Sequence, residues 1–269
     1  DIAFVESKPI IGPVQYSGPI PTAADGSPAI KAIRSEEAFV VAVCDAGRQR
    51  INVTDKVDDD RKLTWDVPAG TWTLVSCFSK PSGIRNASTS LSGSGLHHDH
   101  LSKAAADVHL ENVAGKMLAK LGTFDDTAFD GFNTDSWELG YPTWTPGFRK
   151  EFIARRGYDP VLYLPVLANV KRKPKQFVTH WDVEVGGNPS ERDLRFLFDF
   201  RTTVSDLIVD NFCRHVRKWC HDHHVAYEAE AGGPEYVPRD MLQGQGAADI
   251  PMGEFWVHPW TVVKVASSA

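Results

Sequence analysis

The sequence predicts an α/β chain in which a β-sandwich-like segment precedes alternating helices and short strands, the arrangement that builds a β/α barrel. Three observations carry that expectation. Runs rich in β-branched and aromatic residues, divided by Pro, Gly and Asp clusters, fill residues 1 to 80. From Leu101 onward, helical periodicities alternate with short apolar runs, as in parallel strands joined by helices. Three of those short runs end in acidic residues, in stretches 130–140, 225–234 and 249–256.

Taken in order, Ala38–Cys44 and Thr71–Phe78 are strand-forming runs, and Leu63–Trp72 reads as two Trp-bearing strands divided by a Pro-Ala-Gly turn at 68–70. A Ser/Gly-rich loop, Ser82–Gly95, closes this first segment, residues 1–80. Residues 81–269 are read as the N-terminal portion of a barrel cut short at its C-terminus. Leu110, Val113, Met117, Leu118 and Leu121 recur at helical spacing, and Gly122 supplies a stop. Thr145-Pro146 reads as N-cap and first helical residue of a second helix, with Phe148, Phe152 and Ile153 as its buried stripe and Gly157 as its end. An irregular connection leads to Ser190, which caps a long helix burying Leu194, Leu197, Phe198, Val204, Leu207, Ile208, Val216 and Trp219. That helix ends in His221-Asp-His-His224, where imidazoles suit the negative end of the dipole. Val225–Ala231 then alternates as a strand, so Glu228 and Glu230 share one face and Tyr227 and Ala229 the other. Ala248–Gly253 is the last strand, with Glu254 at its end.

The chain is 42% hydrophobic and 24% charged, which suits a globular fold with a sizeable core. A net charge of -6 and the lack of any Lys/Arg-rich run argue against nucleic acid or an anionic membrane surface as partner. No 18-residue apolar run is present, and the first residues have no basic region followed by an apolar one, so neither a membrane span nor a signal peptide is expected. The chain begins within an apolar segment and stops without a helix stop signal, which suggests a piece of a longer protein. Cys44, Cys77, Cys213 and Cys220 are scattered, so buried thiols are expected rather than a disulfide framework or zinc knuckle.

Glycosidic cleavage needs one carboxylic acid to protonate the departing oxygen and one carboxylate to activate water or attack carbon. Glu138, Glu228, Glu230 and Glu254 are candidates, and Met252, Phe255 and Trp256 around Glu254 mark it as an acid in apolar company. Trp137 and Trp256 sit beside these acids, as rings that stack on sugars do, although core packing accounts for such residues equally well. His97-His-Asp-His100 contains an HxH pair of the kind that metal-dependent amidohydrolases use, but it follows a Gly/Ser loop instead of a strand. Asp58-Asp59-Asp60 lacks the spacing and central Gly of a calcium loop and reads as a solvated turn.

Several blocks together resemble glycoside hydrolase family 106, the α-L-rhamnosidases: Gly95–Ser102, Asp135–Glu138, Trp144–Phe152, Arg155–Asp159, Tyr163–Pro165, Asp199–Thr203 and Asp249–Trp256. The resemblance implies a (β/α)8 TIM-like barrel, present here in part, flanked by β-domains. It implies an inverting hydrolase that removes terminal α-L-rhamnose from oligosaccharides, polysaccharides or glycosides, with a calcium ion helping to hold the sugar hydroxyls. By position Glu138 corresponds to the general acid and Glu254 to a further active-site carboxylate. Asp99, Asp135, Trp137, Glu230 and Trp256 are candidate sugar contacts, with Asp135 and Glu230 also candidates for calcium. The full-length parent would be periplasmic or extracellular. Family members continue past the equivalent of Ala269 into further strands, one of which could supply the base, so this chain alone is expected to be inactive. The alternatives are a non-catalytic carbohydrate-binding module and an amidohydrolase-like barrel.

Overall fold

A computed structural model describes residues 1–44, 49–86, 90–135, 143–171, 184–185, 188–230, 240–253, 264 and 266–268. The chain divides into two compact units, one made of residues 1–82, 144–174 and 182–200, the other of 83–143, 175–181 and 201–269.

In the first unit, β1 (Ile2–Glu6), β2 (Ile10–Pro19), β3 (Ala38–Cys44), β4 (Arg50–Asn52) and β5 (Lys62–Ser79) form one antiparallel sheet. β5 is its spine, pairing with β1, β2 and β3, while β4 adds to β3. Strict alternation turns Leu63, Trp65 and Val67 inward, where they join Val40, Ala42, Trp72, Leu74 and Phe78 in one buried cluster. The expected turn at Pro68-Ala-Gly70 is absent, because β5 runs through it as one strand of 18 residues. The register with β2 shifts between Gly12 and Val14, so neither Pro13 nor Pro68 is a paired residue. Gly12 lies opposite Gly70, and a Cβ on Gly12 would fall 2.0 Å from the Pro68 carbonyl oxygen. These strands make a single sheet, and the second layer of a sandwich is not found among the described residues.

The rest of this unit is an aromatic cluster. The helix Phe148–Arg156 buries Phe148 and Phe152 and ends at left-handed Gly157 as predicted, but it starts after Gly147 rather than at Pro146, and Ile153 is exposed. Ser190 and Asp193 cap the helix Glu191–Ile208 reciprocally, with Ser190 Oγ accepting from the Asp193 N–H and Asp193 Oδ2 accepting from the Ser190 N–H. Asp193 also receives the Arg50 guanidinium at 2.6 Å; the Asp193 side chain is buried and that of Arg50 half-buried. Burial favours the neutral acid, but Arg50 and Ser190 outweigh it and hold the Asp193 carboxyl below its usual range. This inward anchor sets the helix rotation: Phe196, Leu197 and Phe200 are buried, whereas Leu194 and Phe198, expected inside, are exposed at 49% and 70%.

In the second unit, Ser102 Oγ caps the helix Lys103–Leu110 through the Ala105 N–H. A π-helical turn, Glu111–Gly115, leads into Lys116–Leu121 and a stop at Gly122. Its buried residues are Ala106, Leu110 and Ala114, while Val113 and Leu121 of the expected stripe are exposed. A second π turn, Val209–Cys213, joins the long helix to Arg214–Asp222. The helix ends as expected, His223 Nδ1 lying 2.7 Å from the Trp219 carbonyl oxygen. Strands Gly131–Thr134, Ala226–Glu230 and Ile250–Met252 then form a parallel sheet with Ala226–Glu230 at its centre. Cys77, Cys213 and Cys220 are buried free thiols, and Cys44 is half-buried. Among the described residues no helix is long and apolar enough to cross a membrane.

Candidate functional site

The parallel sheet presents two unlike faces. In register, Phe132, Tyr227 and Pro251 share one face, on which Phe132 meets the Trp219 ring edge-on at 5.7 Å. The helix thus covers that face, and Tyr227 and Ala229 are buried as the alternation predicted. Asn133, Glu228 and Glu230 share the other face with Ile250 and Met252, and both glutamates are half-buried. No hydrogen bond or ion pair holds the Glu228 carboxylate among the described residues. Sequence reasoning passed over Asn133, whose only signal is its parity with the carboxylates of a neighbouring strand.

All three strands run in the same direction, so their carboxyl ends lie side by side, where ligands of α/β sheets bind. Thr134 pairs with Ala229 and Met252 with Glu230, which puts Asp135, next in line after Thr134, level with Glu230 on the adjacent strand. Two devices fix the third strand. Buried Gln245 donates through Nε2 to the Met252 carbonyl at 2.5 Å. At the opposite end, Asp249 accepts from the Tyr227 N–H at 2.9 Å and the Arg217 Nε at 2.8 Å, with His221 Nε2 at 2.8 Å. Burial works against that charge, but the Tyr227 N–H, His221 and Arg217 outweigh it and hold the Asp249 carboxyl low.

Of the predicted residues, Asp135 and Glu230 are brought by the register to the ends of neighbouring strands. Asp99 is half-buried in the turn before the Ser102-capped helix, its Oδ1 accepting from the Leu101 N–H at 3.0 Å. Glu138, Trp137, Glu254 and Trp256 lie outside the described residues. The HxH pair is a ring stack rather than a ligand set: His98 lies 3.8 Å from His100, 5.1 Å from parallel His109 and 5.4 Å from Phe212, centroid to centroid. Burial, with His109 and His97 nearby, lowers the His98 pKa to about 4, and its Nε2 is buried without a hydrogen bond. No group of three or more His, Cys, Asp or Glu able to hold a metal occurs among the described residues. Asp58-Asp59-Asp60 is a turn in which Asp58 Oδ1 accepts from the Asp60 and Lys62 N–H groups.

A family model described as alpha-L-rhamnosidase, glycoside hydrolase family 106, matches residues 31–267. The chain belongs to this family. A Formosa agariphila protein provisionally named a beta-glucuronidase is 36% identical over 206 residues, 77% of this chain and 16% of that protein. The solved rhamnosidase of Novosphingobium sp. PP1Y aligns with 80% of this chain at 25% identity and a TM-score of 0.59, over 19% of its own length. The family-106 chain therefore spans less than a fifth of either relative. Its strand-end donors, Asp135, Glu228, Glu230 and Asn133, are all oxygen ligands of the kind a hard cation such as calcium accepts. They fit calcium in kind, although its six to eight ligands exceed what the described residues bring together.

Proposed function

We propose that this chain is the part of an inverting α-L-rhamnosidase that carries the general acid, and that residues 81–269 are the N-terminal portion of a (β/α)8 barrel completed by the parent protein. One observation supports this reading most: in a family-106 chain, three parallel strands end side by side with Asp135, Glu228 and Glu230 on or beside one polar face. Glu138, three residues beyond Asp135, protonates the departing glycosidic oxygen, and Glu254, two residues beyond Met252, is the further carboxylate beside the sugar. Trp137 and Trp256 stack on the ring, and Asp99 contacts a hydroxyl. Calcium, bound by Asp135 and Glu230 with ligands from the parent, would supply a positive centre for vicinal hydroxyls. The substrate is a terminal rhamnoside of an oligosaccharide, polysaccharide or glycoside, met in the periplasm or outside the cell.

The test is Glu138→Gln in the full-length parent, assayed on an aryl α-L-rhamnoside before and after chelation. Loss of a general acid lowers turnover by about 10²–10⁴-fold. Turnover near that of the unaltered enzyme would overturn the assignment, and full activity after exhaustive chelation would overturn the calcium role. The name of the Formosa agariphila relative favours a second reading, cleavage of a uronide. An aryl β-glucuronide assayed beside the rhamnoside decides between them.

A further inference from the structure

Within the first unit, Tyr158, Tyr163, Glu191, Arg192, Arg195 and Asp199 line an open cavity of about 500 Å³. That volume lies in the range of small-molecule sites. Its charged side chains balance in number, Arg192 and Arg195 against Glu191 and Asp199, but they are not evenly paired. Arg195 is paired with Glu191 at 2.5 Å, and Arg50, on the same Tyr163 ring, is neutralised by Asp193. Arg192 lies with its guanidinium carbon 5.3 Å from the Tyr163 centroid and has no carboxylate partner among the described residues. Stacking on an aromatic face orients a guanidinium while leaving its N–H edge free to grip a planar anion. Tyr158 donates its hydroxyl to Asp199 Oδ2 at 2.9 Å, which fixes the phenol oxygen as an acceptor.

We infer that this cavity binds a pyranose bearing a carboxylate, with Arg192 gripping the carboxylate and the Tyr158 oxygen accepting from a ring hydroxyl. A dianion such as phosphate suits it poorly, because Glu191 and Asp199 sit in the same wall against a single uncompensated cation. A bare small anion would leave most of the space unfilled. The choice of a sugar acid among small carboxylates rests on the family-106 reading, whereas the anion contact does not.

Titration of the full chain with D-glucuronate, D-glucose and acetate, followed by ligand-observed NMR, tests this without any turnover. Glucuronate is expected to bind saturably and at least ~10-fold more tightly than either of the others, since one charge-assisted contact is worth about that factor. Arg192→Met should weaken glucuronate at least tenfold and leave the circular dichroism unchanged, as the residue is exposed. Tyr158→Phe should weaken it less. Absence of saturable glucuronate binding, or binding indifferent to Arg192→Met, overturns the site. Acetate binding as tightly as glucuronate overturns the sugar acid as its ligand. Because binding is read directly, a parent enzyme that fails to cleave rhamnosides would leave the result standing.

Discussion

The two sheets use the same backbone pairing for different ends. In the antiparallel sheet of the first unit, inward residues are apolar from Val40 and Ala42 to Trp65, Trp72 and Leu74, with the small buried Ser76 among them, and the strands close on one buried cluster. The parallel sheet of the second unit is apolar on one face only, the face under Trp219, and commits its other face to Asn133, Glu228 and Glu230. Carboxylates on a sheet face gain little from burial and suffer desolvation, so they weaken the strand that carries them. The first sheet is a source of stability, and the second gives up some stability to hold chemistry.

The largest effect should follow from cutting into the first sheet. Trp72 is fully buried, meets Trp65 edge-on at 5.6 Å and donates its Nε1–H to the Pro68 carbonyl at 3.1 Å. Trp72→Ala is expected to cost about 3–5 kcal/mol, read as a lowered denaturant midpoint of the full chain. A loss under ~1 kcal/mol would deny the sheet its role as the stabilising core.

How much of this was legible beforehand depends on whether the signal was local. Ser190, Gly122 and Gly157 announced helix ends because caps and left-handed glycines act within a few residues. The alternation that separates Glu228 and Glu230 from Tyr227 was equally plain, since period two needs only one strand. What failed depended on partners distant in sequence. Pro68-Ala-Gly70 looked like a turn until β2 supplied a bulged partner with Gly12 at the crossing point. Leu194 and Phe198 looked buried until Arg50, far away in the chain, drew Asp193 inward. Asn133 became visible only through its register with Glu228. Family membership was legible from motif blocks, because each block is a local run of residues.

A smaller and opposite effect should follow from the second sheet. Glu228→Gln keeps the shape of the side chain and removes a charge that no described residue compensates. Stability should change by less than ~0.5 kcal/mol or rise slightly. Turnover of a rhamnoside by the full-length parent should fall at least ~10-fold, corresponding to about 1.4 kcal/mol of transition-state stabilisation. A variant that is destabilised yet fully active would invert the comparison and make Glu228 structural.

The smallest effect concerns Asp249, which belongs to the second sheet but behaves like a residue of the first. It stands at the amino end of its strand, away from the strand-end acids, and ties the Arg214–Asp222 helix to the sheet through Arg217, His221 and the Tyr227 N–H. Its carboxyl titrates lower in the folded chain than in the unfolded one, where an aspartate lies near ~3.9. Its stabilisation is therefore complete above that unfolded value and is lost as the pH falls through the folded one. Asp249→Asn should cost about 1 kcal/mol at neutral pH, and the decline in stability below ~pH 4 should become shallower, because one of the protons driving it is gone. Denaturant midpoints measured from pH 7 down to 3 would show the two curves converging on the acid side. Parallel curves would mean that Asp249 contributes through shape alone, and that charge in this sheet serves only its carboxyl end.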